Sequence, residues 1–384
     1  MPLSEPLQQV GRTLVRYRGR TLIYFGGCDY FRLSSHPKVL EALRKGAGKF
    51  GLNVAASRST TGNHTLFGKL ESELARFFSV PGAALLSNGY ATNLAFTQTF
   101  TGHFSHALID DRSHGSLQDS TAFLRCSVIP FRHRNPEDLQ RRLGRCDRSA
   151  RPLVMTDGMF AHDGSIAPLD SYLSMMPRQG TLLVDDAHGA GTLGASGKGT
   201  PEACGVTDKR IVQTISLSKA FGVYGGAVLG ASAVIDGIKE RSRVFNGNTP
   251  LPLPLANAAL AAVRIVKRDR SIRNRLQANA DYIRATLRAS NPKGVASAAE
   301  VPLRLSSKPA ARALRREASP LISFTPRDKV HASRISKCLL DAGIFPTLIH
   351  YAGGPGSGYF RFAISSEHTA EQLDRLAEAL IASR

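Results

Sequence analysis

The chain has 384 residues, a length that suits a large domain together with a smaller one. Its hydrophobic content of 42% and charged content of 21% are typical of a packed globular protein, and its Gly and Pro are too dispersed for a low-complexity tract. The net charge of +20 favours anionic ligands, but the basic runs lie on separate stretches without interleaved aromatic residues, so nucleic-acid binding is not expected.

Residues 1–45 are predicted to form an N-terminal arm and the start of a short helix, HPKVLEALRKGAGKF at 36–50. The opening residues contain no apolar core of a signal peptide, and no apolar run reaches the roughly 18 residues of a membrane span. The five cysteines form no C-x-x-C pair and their number is odd, which argues against a disulfide framework or a structural zinc site. We therefore expect a soluble, cytoplasmic protein without a membrane span.

Residues 46–255 are predicted to form the large domain, because short apolar runs alternate there with helical patterns. The strand candidates are AALLSN (83–88), HALID (106–110), LVMTD (153–157), TLLVD (181–185), IVQTIS (211–216) and GAVLG (226–230). Continuous apolar strands between helices are typical of an α/β fold with a mostly parallel central sheet covered on both faces. Ligands in such folds bind at the carboxyl ends of the strands.

Residues 256–384 are predicted to form a smaller α+β C-terminal domain. One long helix is expected over 256–290. Two short strands and two helices then alternate: PLISFTP (320–326), KVHASRISKCLLDAG (329–343), YFRFAIS (359–365) and TAEQLDRLAEALIAS (369–383).

Polar side chains follow several of the predicted strands at the point where each strand ends. VDDAHG places Asp185 and His188 at one carboxyl end, and SLSKAFG places Ser216 and Lys219 at another. HALIDDRSHGS places His114 at a third. A strand-end lysine among small residues suits a Schiff base with a carbonyl group, and a strand-end Asp can hold a heterocyclic nitrogen protonated.

A turn with the sequence SNGY lies before another predicted helix and places Gly89 and Tyr90 at the helix N-terminus. The exposed backbone amides of such a turn suit an anion such as phosphate. Each of these features alone also has an ordinary explanation. A lone strand-end lysine is more often an ion-pair partner, and Asp-Asp before His is common in turns and helix caps.

Three further motifs indicate no function. GAGTLG (189–194) matches the dinucleotide-binding fingerprint, but no strand directly precedes it and no clear helix opens on it. GASGKGT (194–200) has Gly where a P-loop requires Ser or Thr after its lysine. HFSH (103–106) lacks the Glu and the further ligands of a zinc site, so no metal site is predicted.

The motifs occur together in an order that extends along nearly the whole chain. They are CDYFRLSSHP (28–37), ASRSTTGNHTLFGKLESELARFF (56–78), SNGYATN (87–93), SHGSL (113–117), TDGMFAHDGSIAPL (156–169), VDDAHGAGTLG (184–194) and SLSKAFGVYGGAVLG (216–230). With these motifs the sequence resembles the α-oxoamine synthases, fold-type-I enzymes that depend on pyridoxal 5'-phosphate (PLP). Among their members it is most similar to 8-amino-7-oxononanoate synthase and 2-amino-3-oxobutyrate CoA ligase.

The resemblance implies a role for each strand-end residue around PLP. Lys219 matches the lysine that forms a Schiff base with the cofactor, and Asp185 matches the carboxylate that pairs with the pyridinium nitrogen. His188 matches the histidine that hydrogen-bonds the phenolic oxygen of the ring. His114 matches the histidine that stacks on the ring.

The resemblance also implies binding sites for phosphate and substrate. Gly89 and Tyr90 match the turn whose amides hold the phosphate, and Ser216 matches a residue that adds a hydroxyl to it. Arg361 matches the arginine that grips the carboxylate of the amino acid, a task that suits the bidentate guanidinium. The family's active site lies between two subunits, so a homodimer is expected in which the partner's NGNT stretch (246–249) approaches the phosphate.

Four positions depart from the family's pattern, and they lie on the substrate side of the expected site. Cys28 stands where the family has Asn, which helps Arg361 to hold the substrate carboxylate, and a thiol is a weaker hydrogen-bonding group. Phe67 replaces a second His, Ala161 replaces a Ser, and Asp157 replaces a longer Glu. The cofactor-binding residues match the family, whereas the residues expected around the substrate have changed.

The implied reaction is decarboxylative condensation of an amino acid with an acyl thioester, carried by CoA or an acyl-carrier protein, to give an α-aminoketone. Lys219 then also serves as the base that removes the Cα proton. An alternative is a PLP-dependent aminotransferase, which uses the same lysine and needs no thioester. A second alternative is a binding protein on the same scaffold without turnover. The sequence leaves the amino acid open among alanine, glycine and serine.

Overall fold

The computed structural model describes residues 5–147, 149–290, 319–350 and 356–383. The N-terminal segment forms a small antiparallel sheet of β1 (Gln8–Gln9), β2 (Leu14–Tyr17) and β3 (Arg20–Ile23). Two helices follow, α1 (Pro37–Phe50) and α2 (Thr65–Phe78). Each begins after a histidine whose side chain accepts a hydrogen bond from a backbone amide of the first turn.

The central sheet has seven strands among the described residues. They are β4 (Gly82–Leu86), β5 (His106–Asp110), β6 (Ser127–Phe131), β7 (Pro152–Asp157), β8 (Thr181–Asp185), β9 (Ile211–Ser216) and β10 (Gly226–Gly230). Their order is β4–β10–β9–β8–β7–β5–β6, and every strand is parallel to the others except β10. The sequence predicted all of them except β6, which lies at the edge, is largely exposed and contains Pro130.

Helices cover both faces of this sheet, which confirms the predicted α/β class. They are α3 (Gly89–Thr99), α4 (Gly115–Ser120), α5 (Pro136–Leu143), α6 (Leu169–Met175), α7 (Thr200–Ala203), α8 (Ser232–Arg241) and α9 (Arg243–Asn246). Along β4 and β10, Leu85 and Leu229 pack into the apolar cluster that includes α2, whereas Leu86 and Val228 pack into the cluster of α3 and α8. Successive side chains of each strand therefore enter opposite halves of the core.

The C-terminal part contains helices on a three-stranded antiparallel sheet of order β11–β13–β12. Its elements are α10 (Leu253–Arg268), α11 (Arg270–Ala289), β11 (Leu321–Phe324), α12 (Lys329–Asp341), β12 (Leu348–Ile349), β13 (Tyr359–Ala363) and α13 (Ala370–Ala382). Within the described part of the chain, no helix is both long and apolar enough to cross a lipid bilayer.

The single helix predicted over 256–290 is two helices, because Asp269 interrupts it. Asp269 has extended backbone angles (φ −97°, ψ 92°), and its carboxylate accepts the amide of Ser271 at 2.9 Å. A short acidic side chain at this position caps the second helix. The break lets α10 pack on α1 and α2, while α11 packs on α13.

The N-terminal segment joins the C-terminal sheet and thereby positions residues near the site. The amide of Ala363 in β13 donates to the carbonyl of Phe25 at 2.6 Å. The buried His368 links the same two regions: its Nε2 lies 3.1 Å from the carbonyl oxygen of Tyr24, and its Nδ1 accepts the amide of Ser365 at 3.0 Å. Burial lowers the pKa of His368 to about 3, so the ring is neutral in the folded chain.

Candidate active site

A cavity of about 340 Å³ lies at the carboxyl edge of the central sheet. Its walls come from the segments that follow β4, β5, β7, β8 and β9, whose carboxyl ends meet at this edge. Seven of the nine predicted site residues line it: Gly89, Tyr90, His114, Asp185, His188, Ser216 and Lys219. The other two, Cys28 and Arg361, are absent from this lining and lie on segments that contact it.

Lys219 is held in the tight connection between β9 and the antiparallel strand β10. Its backbone carbonyl accepts the amide of Gly222 at 2.9 Å, and Leu217 exchanges backbone hydrogen bonds with Gly225 and Val223. Among the described residues, no carboxylate lies within ion-pair distance of the Lys219 amine. The amine is therefore free to react with a ligand in the cavity, whereas an ordinary strand-end lysine would hold a counter-ion.

One end of the cavity is formed by the N-terminus of α3. Asn88 caps this helix by accepting the amide of Ala91 at 2.9 Å. The amides of Gly89 and Tyr90 donate to no acceptor in the described part of the chain, and the helix dipole favours an anion there. The hydroxyl of Ser216 is close by, because a Cβ atom on Gly89 would lie only 2.8 Å from the Ser216 Cβ.

Another wall of the cavity includes Asp185, whose carboxylate is buried and held by three donors. Its Oδ2 accepts the Asn93 amide nitrogen at 2.7 Å and the Ser116 hydroxyl at 3.3 Å. Its Oδ1 accepts the amide of Ala187 at 3.1 Å. Asn93 is fixed in turn because its Oδ1 accepts the hydroxyl of Thr214 at 2.8 Å. A carboxylate oriented in this way can hold a proton on a heterocyclic nitrogen.

His114 is joined to the same network through Ser116. The amide of Ser116 donates to His114 Nδ1 at 3.2 Å, and the Ser116 hydroxyl lies 2.8 Å from this atom. Because Nδ1 accepts a backbone proton, the His114 ring carries its own proton on Nε2. The His114 backbone amide donates to Asp157 Oδ1 at 3.0 Å, which fixes the turn that carries the ring.

Asp157 is a second buried acid beside Asp185, since the two residues are paired in register on β7 and β8. Burial and the charge of Asp185 raise the pKa of Asp157 well above its ordinary value. Protonation is therefore easier at Asp157 than at an ordinary aspartate, and Asp185 is the acid to which Asn93 and Ser116 donate.

His188 is buried, and its ring is neutral. Burial, together with the positive charge of Lys219, lowers the pKa of His188 well below its ordinary value. Its Nδ1 lies 2.8 Å from the hydroxyl of Tyr30, a residue from the N-terminal segment. His188 also follows Asp186, a buried acid with a pKa raised to about 7 by burial, which accepts hydrogen bonds from Thr200 and anchors this loop.

The substrate side of the expected site includes Arg361, Cys28 and Phe67. Arg361 Nη1 donates to the carbonyl oxygen of Ala161 at 3.0 Å, which joins β13 to the loop after β7. Cys28 is buried in the N-terminal segment, where its carbonyl accepts the amide of Tyr30 at 2.9 Å. Phe67 lies within α2, where the Arg58 guanidinium covers its ring at 5.0 Å.

Several lining and supporting residues were not predicted from the sequence. They are Tyr30, Asn93, Ser116, Met159 and Tyr224. Asn93 follows Gly89 by four residues, about one turn of α3. Helical periodicity could therefore have placed it on the same face of the helix as Gly89. Tyr30 is distant in sequence from His188, and no local pattern predicts that contact.

The cavity fits PLP at each of its functional ends. Gly89 and Ser216 approach so closely that only glycine leaves room beside the free amides of α3, which suits a phosphate. Asp185 suits the ring nitrogen, and Lys219 lines the same cavity with an amine that no carboxylate of the described residues pairs. Two histidines, His114 and His188, complete the walls.

Comparisons with known proteins agree with this geometry. Residues 22–380 match the family described as aminotransferase class I and II. The 8-amino-7-oxononanoate synthase of Thioalkalivibrio sulfidiphilus is 34% identical over 365 residues, which cover 94% of this chain and 88% of that protein. The corresponding protein of Methylobacillus flagellatus is 30% identical over 95% of this chain and 88% of its own length.

Solved structures with the same fold include two related enzymes. A serine palmitoyltransferase from S. paucimobilis with a bound PLP–myriocin adduct superimposes with a TM-score of 0.86 and 26% identity, over 98% of this chain and 90% of that one. An 8-amino-7-oxononanoate synthase from Francisella tularensis gives 0.75 and 26%, over 94% and 97%. The comparisons favour the synthase reaction over aminotransfer. The chain therefore belongs to the aminotransferase class I and II family and, within it, to the α-oxoamine synthases, PLP-dependent acyltransferases that condense an amino acid with an acyl thioester and release carbon dioxide.

Proposed function

We propose that this enzyme condenses alanine with a seven-carbon acyl thioester that carries a distal carboxylate. The observation that carries this choice is the 34% identity to an 8-amino-7-oxononanoate synthase over 94% of the chain. In the product that this name describes, breaking the bond between the oxo and amino carbons leaves a seven-carbon acyl group and a two-carbon amine. The two-carbon amine is what alanine becomes when it loses its carboxyl group.

Three residues are proposed to hold the cofactor and to support its reaction: Lys219, Asp185 and His188. PLP, when bound, supplies an electron sink that stabilises negative charge on the Cα atom of the amino acid. Lys219 would hold the cofactor covalently and, as a base, would move the Cα proton of the amino acid. Asp185 keeps the ring nitrogen protonated, and Nε2 of His188 hydrogen-bonds the phenolic oxygen. The unpaired amine of Lys219 and the three donors on Asp185 support these roles.

The remaining cavity residues are proposed to orient the cofactor. The amides of Gly89 and Tyr90 bind the phosphate, with the Ser216 hydroxyl as a further donor. His114 stacks on the ring and presents its Nε2 proton towards the carbonyl groups of the substrates. The hydrogen bonds between His114 and Ser116 support this orientation of the ring.

Arg361 and Cys28 are proposed to bind the amino acid. The guanidinium of Arg361 takes the carboxylate, because it already reaches the loop at Ala161 that borders the cavity. Cys28 contributes a buried thiol on the N-terminal side. A thiol and the methyl group of Ala161 make this wall less polar than the cofactor side, which suits the small apolar side chain of alanine.

We further propose a cytoplasmic homodimer with a shared site. Tyr90 and Tyr224 line the cavity, and 45% and 50% of their surfaces are exposed, so a second subunit could cover them with its 246–249 stretch. The acyl group arrives on CoA or on an acyl-carrier protein, both anionic, and the charge of +20 favours their approach. The domain limits predicted from the sequence, 1–45, 46–255 and 256–384, remain part of this proposal.

A matrix of amino acids and acyl thioesters tests the proposed substrates. Alanine, glycine and serine are each combined with a seven-carbon carboxyacyl-CoA and with palmitoyl-CoA, and the measurements are free thiol and product mass. We expect thiol release and an α-aminoketone from alanine with the carboxyacyl donor. Turnover with serine and palmitoyl-CoA instead would overturn the substrate choice, and a keto acid formed without thiol release would overturn the reaction itself.

A further inference from the structure

Tyr30 makes a buried contact with His188 that joins the N-terminal segment to the cofactor side of the cavity. The Tyr30 side chain is 1% exposed, and its hydroxyl lies 2.8 Å from His188 Nδ1. The two rings meet edge to face with centroids 6.2 Å apart, so the hydroxyl lies at the edge of the imidazole. The two residues are 158 positions apart in the chain, and the contact therefore exists only in the folded protein.

The charge state of both partners restricts this contact to a hydrogen bond between a neutral phenol and a neutral imidazole. Burial raises the pKa of Tyr30 well above its ordinary value, so its hydroxyl keeps its proton. Burial lowers the pKa of His188 well below its ordinary value, and the positive charges of Lys219 and Arg361 act in the same direction. A neutral imidazole has one nitrogen that donates and one that accepts.

We infer that Tyr30 is a positioning residue: its hydroxyl donates to Nδ1 of His188 and thereby keeps the His188 proton on Nε2, the nitrogen that serves the cofactor. The inference rests on the proposed role of His188 as a hydrogen-bond donor to the phenolic oxygen of PLP. With the proton on Nδ1, Nε2 would present a lone pair to that oxygen and the two acceptors would repel. A partner on one ring nitrogen sets the tautomer, and so sets what the other nitrogen can do.

Tyr30 is itself held by groups from the substrate side of the site. Its backbone carbonyl accepts the amide of Ser366 at 2.9 Å, and its amide donates to the carbonyl of Cys28 at 2.9 Å. The Cys28 thiol also lies close enough to the phenol to contribute to the raised pKa of Tyr30. A movement of the Cys28 segment on substrate binding would therefore be transmitted to His188 through the hydroxyl of Tyr30.

The first test reads the His188 tautomer directly in the unaltered enzyme. The full-length chain with bound PLP is labelled with 15N-histidine, and the His188 ring signals are assigned by their loss in His188→Gln. We expect Nε2 to carry the proton and Nδ1 to have the shift of a hydrogen-bonded acceptor. A proton on Nδ1 in the unaltered enzyme overturns the inference, whether or not any variant folds.

The second test removes the hydroxyl with Tyr30→Phe, which keeps the buried ring. We expect PLP affinity to fall by roughly 3- to 10-fold, the effect of one lost hydrogen bond. The His188 ring signals should move towards a mixture of tautomers, and the pH midpoint of the bound cofactor's visible absorption band should shift. Unchanged ring signals and an unchanged midpoint overturn the inference.

The matched control is Tyr172→Phe, which removes a hydroxyl that is also fully buried but has no hydrogen-bond partner among the described residues. This ring packs against Phe131, in the apolar cluster of α5 and α6. The control should leave PLP affinity and the His188 signals unchanged. Borohydride reduction of the unaltered enzyme followed by peptide mapping separates the two hypotheses: if Lys219 carries no PLP, the proposed site fails, whereas PLP on Lys219 with an insensitive Tyr30→Phe overturns the Tyr30 inference alone.

Discussion

The two walls of the cavity differ in the kind of polar group that they present. On the cofactor wall, Asp185 accepts three hydrogen bonds, and Asn93 and Ser116 connect it to His114. On the proposed substrate wall, Arg361 donates to the carbonyl oxygen of Ala161, and Cys28 is a buried thiol with weak hydrogen-bonding capacity. The difference indicates that a hydrogen-bonded network orients the residues proposed for the chemistry common to the family, whereas the proposed substrate wall includes a weakly hydrogen-bonding group that a single substitution can change.

The largest effect is expected from Lys219→Ala, which removes both the covalent anchor and the proposed base of the cofactor wall. Turnover should fall by at least roughly 10³-fold, measured as thiol release, because no other amine lines the cavity in the described part of the chain. The visible absorption of bound PLP should change as well. Lys209→Ala, an exposed lysine before β9, is the control and should behave like the unaltered enzyme. Turnover that persists in Lys219→Ala would disprove the assignment of the cofactor wall.

Part of the fold and of the site could be predicted from the sequence. Short apolar runs followed by polar residues predicted the strands and the edge at which they end, so Lys219, Asp185 and His188 could be expected to meet. The ordered motifs then identified the cofactor. What the sequence did not give were contacts between distant segments, such as that of Tyr30 with His188, and the break at Asp269, where one capping side chain outweighs a continuous helical pattern.

Arg361→Ala tests the substrate wall and should spare the cofactor wall. The KM for the amino acid should rise by roughly 10- to 100-fold, since a charge-assisted hydrogen bond to a carboxylate is lost. PLP absorption should not change. Arg361→Lys should recover only part of the loss, because an ammonium group lacks the fork of the guanidinium. Arg375→Ala on α13, which removes an exposed partner of Glu371, is the control. If Arg361→Ala lost PLP as well as affinity for the amino acid, the two walls would not be separable.

Acid should destabilise the folded chain through the buried His368, which links the N-terminal segment to the end of β13. The folded-state pKa of about 3 lies below the ordinary value of 6.5, so the unfolded chain takes up a proton below pH 6.5 that the folded chain refuses. Stability is therefore fully present above pH 6.5 and falls as the pH decreases, by about 2 kcal/mol between pH 6.5 and 5 from this group. Buried His188 acts in the same direction. Urea denaturation of His368→Asn should show a lower stability at pH 7.5 but a flatter dependence on pH; an equally steep dependence would exclude His368 as a source.

Asn93→Ala removes one hydrogen bond from the network around Asp185. Asp185 loses its 2.7 Å donor, and PLP affinity should fall by roughly 10-fold while the KM for the amino acid, measured with saturating PLP, stays the same. Asn257→Ala removes an amide donor that makes a bond of the same 2.7 Å length to Ala42, far from the cavity. This control separates a general loss of stability from a loss at the site. If both variants bind PLP equally well, Asn93 does not orient Asp185.

The smallest effect is expected from Cys28→Asn, which gives the substrate wall a stronger hydrogen-bonding group. An amide can donate to the substrate carboxylate beside Arg361, so the KM for the amino acid should fall by roughly 3-fold. Cys28→Ala, which provides no such group, should leave the KM unchanged or slightly raised. A gain in Cys28→Asn that is limited to one of alanine, glycine and serine would show that this position selects among amino acids. A loss of PLP affinity instead would show that Cys28 supports cofactor binding through its contact with Tyr30. The cofactor wall and the substrate wall would then not act independently.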